Sequence, residues 1–415
     1  MEFQKWGRKA LEFICTPPSD DAFITILEGS VRSGKTVSMI PKWINYIMTG
    51  PPGLLLMTGV SKDTVYDNVL NDLFDTLGDN HYKYNRQSGE LDVFWESKGD
   101  TRSRRIKIVG AKDEGSEKFI RGKTLAGAYC DELTLMPEHF FKQLLNRLSV
   151  KGAKLYGTTN PDSPMHYLYK EYITNESMLQ DGVVKDIHFM LDDNPNLPAE
   201  YKANIRRSYS GMWYKRMILG MWVLAEGLIY DMVSDAMLYN DDDLNKTMRS
   251  RCRRYIAVDY GTKNPMVFLD ILDDGETIWV DGEYYWDSRA MQRQKTDAQY
   301  ADDLVNFIGD EYPDFIIIDP SAASFKLVCQ GKGFRVKDAD NSVNDGIRVT
   351  AMLISRGRLR LNRKCTNTWA EFQTYVWDEK AAANGKEQPL KVSDHSMDAL
   401  RYYCKTMVAK WRLRE

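Results

Sequence analysis

The chain has 415 residues, more than one hydrophobic core usually supports, and its 43% hydrophobic and 28% charged residues exclude a largely disordered protein. The net charge of −3 neither indicates nor excludes a nucleic-acid partner. Electrostatic attraction of a nucleic acid depends on where the charges lie on the protein surface rather than on their sum. The apolar runs are too short to span a bilayer and no signal-peptide core is present, so we expect a cytosolic protein without a membrane segment. The six cysteines form no C-x-x-C pair, so we expect neither a disulfide framework nor a zinc site.

Short apolar runs alternate with longer amphipathic segments in the first part of the chain. This alternation predicts an α/β fold with a mostly parallel sheet, in which ligands bind at the carboxyl ends of the strands. The predicted strands are residues 23–27, 54–58, 105–109, 125–130 and 154–158.

Directly after the first predicted strand, residues 29–36 fit the phosphate-binding pattern G-x-x-x-x-G-K-[ST] at every fixed position. The glycines let backbone N–H groups turn toward phosphate oxygens, Lys35 reaches the β and γ phosphates, and the Thr36 hydroxyl is suited to ligate Mg²⁺. The pattern predicts a bound nucleoside triphosphate, since the alternative, a glycine-rich turn with a solvated lysine, rarely has this strand before it. The residues predicted to hold the nucleotide here are Gly29, Ser30, Arg32, Ser33, Gly34, Lys35 and Thr36.

Two acids, Asp131 and Glu132, follow the predicted strand 125–130, which is the Walker B arrangement that accompanies a P-loop. We expect Asp131 to hold Mg²⁺ through water and Glu132 to orient or deprotonate the water that attacks the γ-phosphate. The next predicted strand leads to Asn160, which suits a sensor of the γ-phosphate. A plain Thr-Asn-Pro turn is an equally good interpretation of Asn160.

Phosphoryl transfer also benefits from an arginine that faces the developing charge. Arg32, inside the P-loop, is placed to supply it within the same chain. Arg121, ten residues before Asp131, is a candidate to reach the site of a neighbouring subunit, with Arg147 as a weaker one. The alternative is that Arg121 and Arg147 only solubilise the surface.

The pattern changes twice along the chain, and these changes predict two domains. Residues 1–230 are expected to form the P-loop domain, with a helical, aromatic-rich lid subdomain from about 164 to 230. Residues 231–254 carry an acidic and then a basic stretch without periodicity, which is typical of a linker. A second α/β domain is expected over residues 255–415.

Two apolar strands of the second domain end in carboxylates. Asp259 follows the first of them, and Asp319 follows a later one. Between these acids, residues 266–270 and 276–280 predict a hairpin around an Asp-Asp-Gly turn. A predicted helix near the end of the chain carries a third acid, Asp398.

Three carboxylates brought together from two strands and a helix repel one another unless cations neutralise them. We therefore expect two divalent metals, Mg²⁺ or Mn²⁺, about 4 Å apart at Asp259, Asp319 and Asp398, a site that cuts phosphodiesters by in-line displacement. The order of strand acid, hairpin, strand acid and helical acid is that of the RNase H-like nucleases. His395 is either a ligand or proton carrier or a polar residue at a helix start, and Asp394 suits a supporting role.

Basic residues cluster in three places, and such clusters favour backbone contacts with a nucleic acid, although a solvated surface is the commoner explanation of any one of them. They are Lys98, Arg102, Arg104, Arg105 and Lys107; Arg249, Arg251, Arg253 and Arg254; and Arg356, Arg358, Arg360, Arg363 and Lys364.

Over nearly its whole length the chain resembles the phage terminase large subunits, in particular those of tailed phages of Gram-positive bacteria and related prophages. The motifs that carry this resemblance are residues 29–36, Arg121 with Gly122, Asp131 with Glu132, residues 157–161, residues 220–230, and the acids Asp259, Asp319 and Asp398 with His395. The resemblance implies a P-loop ATPase domain of the ASCE type with a lid subdomain, followed by an RNase H-like nuclease domain. It also implies an adenine contact before the P-loop, for which Gln4 and Trp6 are candidates.

The resemblance further implies a packaging motor, in which ATP hydrolysis drives double-stranded DNA into a procapsid and a two-metal endonuclease cuts concatemers. Implied partners are double-stranded DNA, a small terminase subunit, a portal protein and further copies of the chain in a pentameric ring, with no membrane. The expected location is the host bacterial cytoplasm, transiently on the procapsid portal and not in the mature virion. The alternatives are a cellular ATPase or helicase-like protein with an RNase H-like nuclease, and a P-loop kinase or regulatory NTPase whose second domain only binds.

Overall fold

The computed structural model describes residues 5–261 and 264–408, which divide into two compact units. The first unit contains residues 5–202 together with Tyr214–Leu224. The second contains Ala203–Trp213 and the described residues from 225 to 408. Within the described part of the chain, no helix has both the length and the apolar character that a membrane crossing requires.

An eight-stranded sheet forms the centre of the first unit. Its strands are β1 (Ile24–Gly29), β2 (Leu54–Gly59), β3 (Tyr82–Asn85), β4 (Glu90–Ser97), β5 (Asp100–Gly110), β6 (Leu125–Cys130), β7 (Lys154–Thr158) and β8 (Val184–Phe189). Their order is β3-β4-β5-β2-β6-β7-β1-β8. All pairings are parallel except those of β4 with β3 and with β5, which confirms the predicted α/β class. β1 and β6 are buried at every position, as expected for central strands covered on both faces.

Helices cover both faces of this sheet. They are α1 (Arg8–Cys15), α2 (Lys35–Thr49), α3 (Lys62–Val65), α4 (Asn71–Leu77), α5 (Glu138–Arg147) and α6 (Glu176–Gln180), and α7 (Ala199–Arg207) and α8 (Gly211–Met217) include residues of both units. Leu27 of β1 packs in the cluster that contains α2, and Ile26 packs in the cluster that contains α5. Because successive side chains of β1 point to opposite faces, α2 and α5 lie on opposite faces of the sheet. The P-loop follows β1 at its carboxyl end.

A seven-stranded mixed sheet forms the centre of the second unit. Its strands are β9 (Leu238–Tyr239), β10 (Arg253–Asp259), β11 (Met266–Asp273), β12 (Ile278–Trp286), β13 (Phe315–Ile318), β14 (Val336–Asp338) and β15 (Leu359–Asn362). Their order is β14-β13-β10-β11-β12-β15-β9. β11 pairs antiparallel with β10 and with β12, as the predicted hairpin requires, whereas β13 pairs parallel with β10. The ends of β10 and β13 therefore lie side by side.

The helices of the second unit pack on both faces of its sheet. They are α9 (Lys246–Arg249), α10 (Asp297–Ile308), α11 (Ala323–Gly331), α12 (Val343–Ser355), α13 (Thr366–Thr374), α14 (Glu379–Ala383) and α15 (His395–Tyr403). Ala257 of β10 faces the cluster that contains α15, and Val258 faces the cluster that contains α10 and α11. This packing brings the first turn of α15 near the end of β10.

Residues 231–254, predicted to be a linker, are folded in this structure. They contain β9, which pairs with β15 at the edge of the sheet, and α9. Tyr239 and Leu244 are buried in a small cluster with Leu272. A two-residue strand has no periodicity to detect, so the sequence pattern did not reveal it.

Candidate functional site

The P-loop joins β1 to α2 and depends on two glycines. Gly29 has a φ of +127°, and a Cβ there would lie 2.0 Å from the carbonyl oxygen of Phe189. Gly34 has a φ of +94° directly before α2, a conformation that side chains rarely adopt. The loop thereby leads into the N-terminus of α2, where free N–H groups and the helix dipole favour phosphate.

A cleft of about 620 Å³ opens beside this loop. Eight of the residues predicted for the nucleotide site line it, namely Arg32, Ser33, Gly34, Lys35, Thr36, Asp131, Glu132 and Asn160. Gly29 and Ser30 do not line it, because the Ser30 N–H donates to the carbonyl of Phe189 at 2.9 Å. Their contribution is to fix the entry of the loop against β8.

The Lys35 side chain is folded back onto the loop. Its ammonium donates to the carbonyl oxygens of Ser30 at 2.6 Å and Gly29 at 3.1 Å, and to the side-chain oxygen of Asn160 at 3.0 Å. Burial lowers the pKa of Lys35 to about 8, although the charges of Glu28 and Asp131 oppose this shift. A buried cation held by neutral oxygens is suited to bind an anion such as phosphate.

The two acids after β6 have different surroundings. The buried Asp131 carboxylate accepts hydrogen bonds from Thr158 at 2.8 Å and from Asn68 at 3.1 Å. Burial nevertheless raises its pKa, so a cation in the cleft would favour the charged form. Glu132 has a φ of +55°, and burial followed by the charge of Asp131 raises its pKa as well. Asp131 and Thr36 both line the cleft, so their side-chain oxygens are of the type that suits a divalent cation there.

The candidate arginines occupy different places. Arg32 is exposed at the cleft, with a φ of +56°. Arg121 is not among the residues that line the cleft, since its side chain is 70% exposed and pairs with Glu117 at 2.7 Å. Arg147 lies at the end of α5, where its Nε is buried without a hydrogen-bond partner. Arg32 is therefore the candidate that this structure brings to the cleft of its own chain.

The segment Tyr214–Leu224 is attached to the strand and loop that carry the P-loop. The Trp222 indole donates to the buried Glu28 carboxylate at 3.1 Å, and the Val31 N–H donates to the carbonyl of Met217 at 2.8 Å. The sequence patterns did not identify Glu28 as a site residue. A charged residue inside an apolar strand is nevertheless expected to have a hydrogen-bond or ionic partner when it is buried.

The acids of the second unit meet around α15. His395 donates through Nδ1 to Asp259 at 2.9 Å, and burial raises the pKa of Asp259 more than this bond lowers it. Asn341 connects the other two acids, because its side chain donates to Asp319 at 3.2 Å and its carbonyl accepts from Arg401, which also donates to Asp398 at 2.9 Å. The predicted acids are thus neighbours in space.

Each of the other two acids is already engaged. Asp398 accepts from Arg401 at 2.9 Å through one oxygen and from Lys391 at 3.0 Å through the other. Asp319 accepts from the Ser321 N–H at 2.8 Å and from Asn341 at 3.2 Å. Carboxylates are the ligands that Mg²⁺ and Mn²⁺ prefer. Even so, the described residues contain no group of three His, Cys, Asp or Glu side chains placed to hold a metal ion, so this arrangement does not fit the predicted two-metal site.

Glu371 of α13 supports the helix that carries His395 and Asp398. Its buried carboxylate accepts from the N–H groups of Ser396 at 2.7 Å and Met397 at 3.2 Å. Burial raises the pKa of Glu371 to about 7. The carboxylate satisfies N–H groups that a helix N-terminus would otherwise leave free, so it fixes the first turn of α15.

Comparison with known proteins agrees with these features. The sequence profile of the family described as terminase large subunit, T4likevirus-type, N-terminal, matches residues 26–233. The crystal structure of the large terminase from a thermophilic bacteriophage is 36% identical in sequence, with a TM-score of 0.87, and the match covers 97% of this chain and 99% of that one. The chain belongs to the phage terminase large subunits.

Two further structures of the large terminase of the same thermophilic phage, in complex with ADP and with ATP-γ-S, also match. Their sequences are 36% and 35% identical to this chain, each with a TM-score of 0.84 and with the same 97% and 99% coverage. No curated protein matches the chain in sequence.

In this terminase large subunit, many of the clustered arginines are engaged within the fold. Arg105 pairs with Asp92 at 2.8 Å, Arg254 with Asp270 at 2.7 Å, and Arg360 donates to the carbonyl of Ala236. The strand around β15 therefore does not present the row of free cations that the alternation of arginines suggested. Further internal contacts are those of Arg104 with Gly50 and Pro51, Arg249 with Asp281, Arg356 with Ser208, and Arg358 with Gly275 and Glu276.

Proposed function

We propose that this chain is the motor and nuclease subunit that packages viral DNA. ATP hydrolysis in the first unit drives double-stranded DNA into the procapsid, and the second unit cuts concatemeric DNA. The observation that carries this proposal is the cleft in which Lys35, Asp131, Glu132 and Asn160 meet beside a P-loop, in a chain of the terminase family.

ATP is the proposed nucleotide. Support comes from the large terminase of the thermophilic phage, which forms complexes with ADP and with ATP-γ-S. A second cavity, of about 120 Å³, shares Ser33, Gly34 and Val37 with the cleft and is also lined by Trp6. We assign the adenine ring to this cavity, with Trp6 as the apolar contact. Gln4, the other candidate, lies outside the described residues.

Each residue of the cleft has a role that follows from its surroundings. Lys35 exchanges the carbonyl oxygens of Gly29 and Ser30 for phosphate oxygens, a gain because the new partner is charged. Glu132 accepts the proton of the attacking water, a role that its raised pKa favours. Asn160 is placed to follow the γ-phosphate through its contact with Lys35. Thr36 and Asp131 would hold Mg²⁺, which would supply positive charge to the phosphates.

Two arginines are suited to face the charge that develops during hydrolysis. Arg32 is at the cleft of its own chain, and Arg121 is exposed and held by one surface ion pair, which is a weak contact. We assign Arg121 the role in trans, reaching the cleft of a neighbouring copy in a ring of five, and Arg32 the role in cis.

The nuclease half of the proposal is supported by two sets of hydrogen bonds. His395 is bonded to Asp259, and Asn341 with Arg401 connects Asp319 to Asp398. The three acids and His395 are the proposed catalytic group. The proposed partners are double-stranded DNA, a small terminase subunit and the portal protein, in the host bacterial cytoplasm.

The ATPase half is tested by measuring ATP turnover and nucleotide binding by the full chain. Glu132→Gln should abolish turnover and keep ATP binding, whereas Lys35→Ala should weaken both. Glu114→Gln, at an exposed position outside the cleft, is the matched control. Normal turnover by the Glu132→Gln protein would contradict the assigned base.

The nuclease half is tested with plasmid DNA and Mg²⁺ or Mn²⁺. Asp319→Ala should abolish cleavage and leave ATP turnover intact, and the exposed Asp310→Ala serves as its control. If the Asp319→Ala protein cleaves as the parent does, or loses ATP turnover as well, the two-site assignment is wrong.

A further inference from the structure

The loop after β8, residues 193–196, lies between the two parts of the proposed nucleotide site. Asn194 lines both the cleft beside the P-loop and the smaller cavity that contains Trp6. Asp193 and Asn196 line the smaller cavity. A loop that borders both spaces is placed to set the distance between the groups that hold the phosphates and the group that holds the base.

Asn194 connects this loop to the P-loop. Its side-chain nitrogen donates to the carbonyl oxygen of Arg32 at 2.9 Å, and its side-chain oxygen accepts from the Asn196 N–H at 3.0 Å. Arg32 has a φ of +56°, a conformation that costs free energy for any residue except glycine. Asn194 therefore helps to hold the P-loop backbone in a conformation that the chain otherwise disfavours.

Asn196 connects the same loop to the segment that carries Trp6. Its side-chain oxygen accepts from the Lys5 N–H at 3.0 Å, and its side-chain nitrogen donates to the Lys5 carbonyl at 2.9 Å. Both backbone groups of Lys5 are thus bonded to one side chain, much as a neighbouring strand would bond them. The next residue is Trp6, the proposed contact of the adenine ring, so Asn196 fixes the backbone from which Trp6 extends.

Further contacts keep the loop itself in place. A Cβ at Gly7 would lie 2.3 Å from the carbonyl oxygen of Asp193, so a side chain at position 7 would push the two segments apart. Lys9 donates to the Asp193 carboxylate at 2.7 Å and to the carbonyl of His188 at 3.0 Å. Because these contacts do not involve the asparagines, loss of one asparagine amide should move the group that it holds and leave the fold intact.

We propose that Asn194 and Asn196 are positioning residues for the nucleotide, Asn194 through the P-loop and Asn196 through Trp6. This inference rests on the proposed ATPase function, which places the phosphates in the cleft and the base in the cavity. The side-chain nitrogen of each asparagine donates to a backbone carbonyl of another segment, so each acts through the backbone that it holds.

The test is equilibrium binding of ATP to the full chain, with inorganic tripolyphosphate as a competitor that has phosphates and no base. Asn196→Ala should raise the dissociation constant for ATP roughly threefold or more and leave that for tripolyphosphate unchanged, because only the base contact is disturbed. Asn194→Ala should raise both constants, because the P-loop holds the phosphates of either ligand. Asn80→Ala, at an exposed asparagine outside the cleft and the cavity, is the matched control.

Two further variants locate the effects. In a Trp6→Ala background, Asn196→Ala should no longer change ATP affinity, whereas Asn194→Ala should keep its effect. Asn194→Asp keeps the oxygen that accepts from Asn196 and loses the N–H that donates to Arg32, so it should bind both ligands no better than Asn194→Ala. Affinities equal to those of the parent would show that the contact with Arg32 is dispensable and would overturn the role of Asn194.

The outcomes separate this inference from the proposed function. If Asn196→Ala weakens tripolyphosphate binding as much as ATP binding, or if neither asparagine variant differs from Asn80→Ala, the inference is wrong and the proposed function stands. A parent protein that binds neither ATP nor tripolyphosphate overturns the proposed ATPase function and the inference with it.

Discussion

The Lys35 ammonium donates a hydrogen bond to the side-chain oxygen of Asn160 across 3.0 Å, and so joins the P-loop to the residues that follow β7. Asn160 is followed by Pro161 and Asp162, and Asp162 pairs with the buried Arg216 at 2.7 Å. A phosphate that draws Lys35 toward itself therefore alters the first contact in a chain that leads to the segment Tyr214–Leu224.

Asn160→Ala should lower kcat for ATP by about tenfold or more and change KM less, because the substitution removes a group that positions Lys35 rather than one that supplies most of the binding. Steady-state ATP hydrolysis measures both constants. Asn45→Ala, on α2 and away from the cleft, is the control. A variant with only a raised KM would assign Asn160 to substrate binding instead.

Trp222→Phe should destabilise the protein by about 1–2 kcal/mol, since the buried Glu28 carboxylate loses a hydrogen bond from the indole and keeps its contact with His188. Trp213→Phe is a matched control, because among the described side chains the Trp213 Nε1 is buried without a hydrogen-bond partner. Urea unfolding of both variants gives the comparison. If Trp213→Phe costs as much, loss of packing rather than of the hydrogen bond explains the effect.

Lys42→Ala should destabilise the first unit by about 3–5 kcal/mol, because it leaves the fully buried Asp21 without its cation at 2.7 Å. Adding Asp21→Asn to Lys42→Ala should restore part of the loss. The exposed pair of Arg86 with Asp63 provides the contrast, and Arg86→Ala should destabilise the protein far less, because solvent screens that pair. Chemical denaturation that ranks these variants in another order would contradict the buried pair.

The stability of the second unit should fall as pH rises from about 4.5 to about 7. Burial raises the pKa of Glu371 from 4.5 to about 7, so in this window the folded protein binds a proton that the unfolded chain releases. Glu371→Gln stays neutral and should lack this decline, a difference of roughly 3 kcal/mol at most, since one pKa unit corresponds to about 1.4 kcal/mol. Denaturant unfolding across this pH range measures it, with the exposed Glu379→Gln as control. Parallel profiles for the parent and the Glu371→Gln protein would show that Glu371 does not titrate in this window.

The sequence predicted the placement of residues that stand at the carboxyl ends of apolar strands. The P-loop, the acid pair after β6 and the acids at the ends of β10 and β13 are such residues, and parallel strands bring these positions to one edge. The α/β class and the family were predicted correctly for the same reason. By contrast, the contacts of Glu371 and Lys391 depend on where loops return in space. No local pattern distinguishes Lys391 from the exposed Lys386.

Three of the five non-glycine residues with positive φ among the described residues lie at the two proposed sites. Arg32 and Glu132 flank the nucleotide cleft, and Ser393 precedes α15 by two residues. Each of these backbones is strained by about 1–2 kcal/mol relative to glycine. A laboratory selection for thermal tolerance alone would therefore tend to replace these residues with glycine. Variants with glycine at positions 32 and 132 would be more stable but would lack the two side chains proposed to act in ATP hydrolysis.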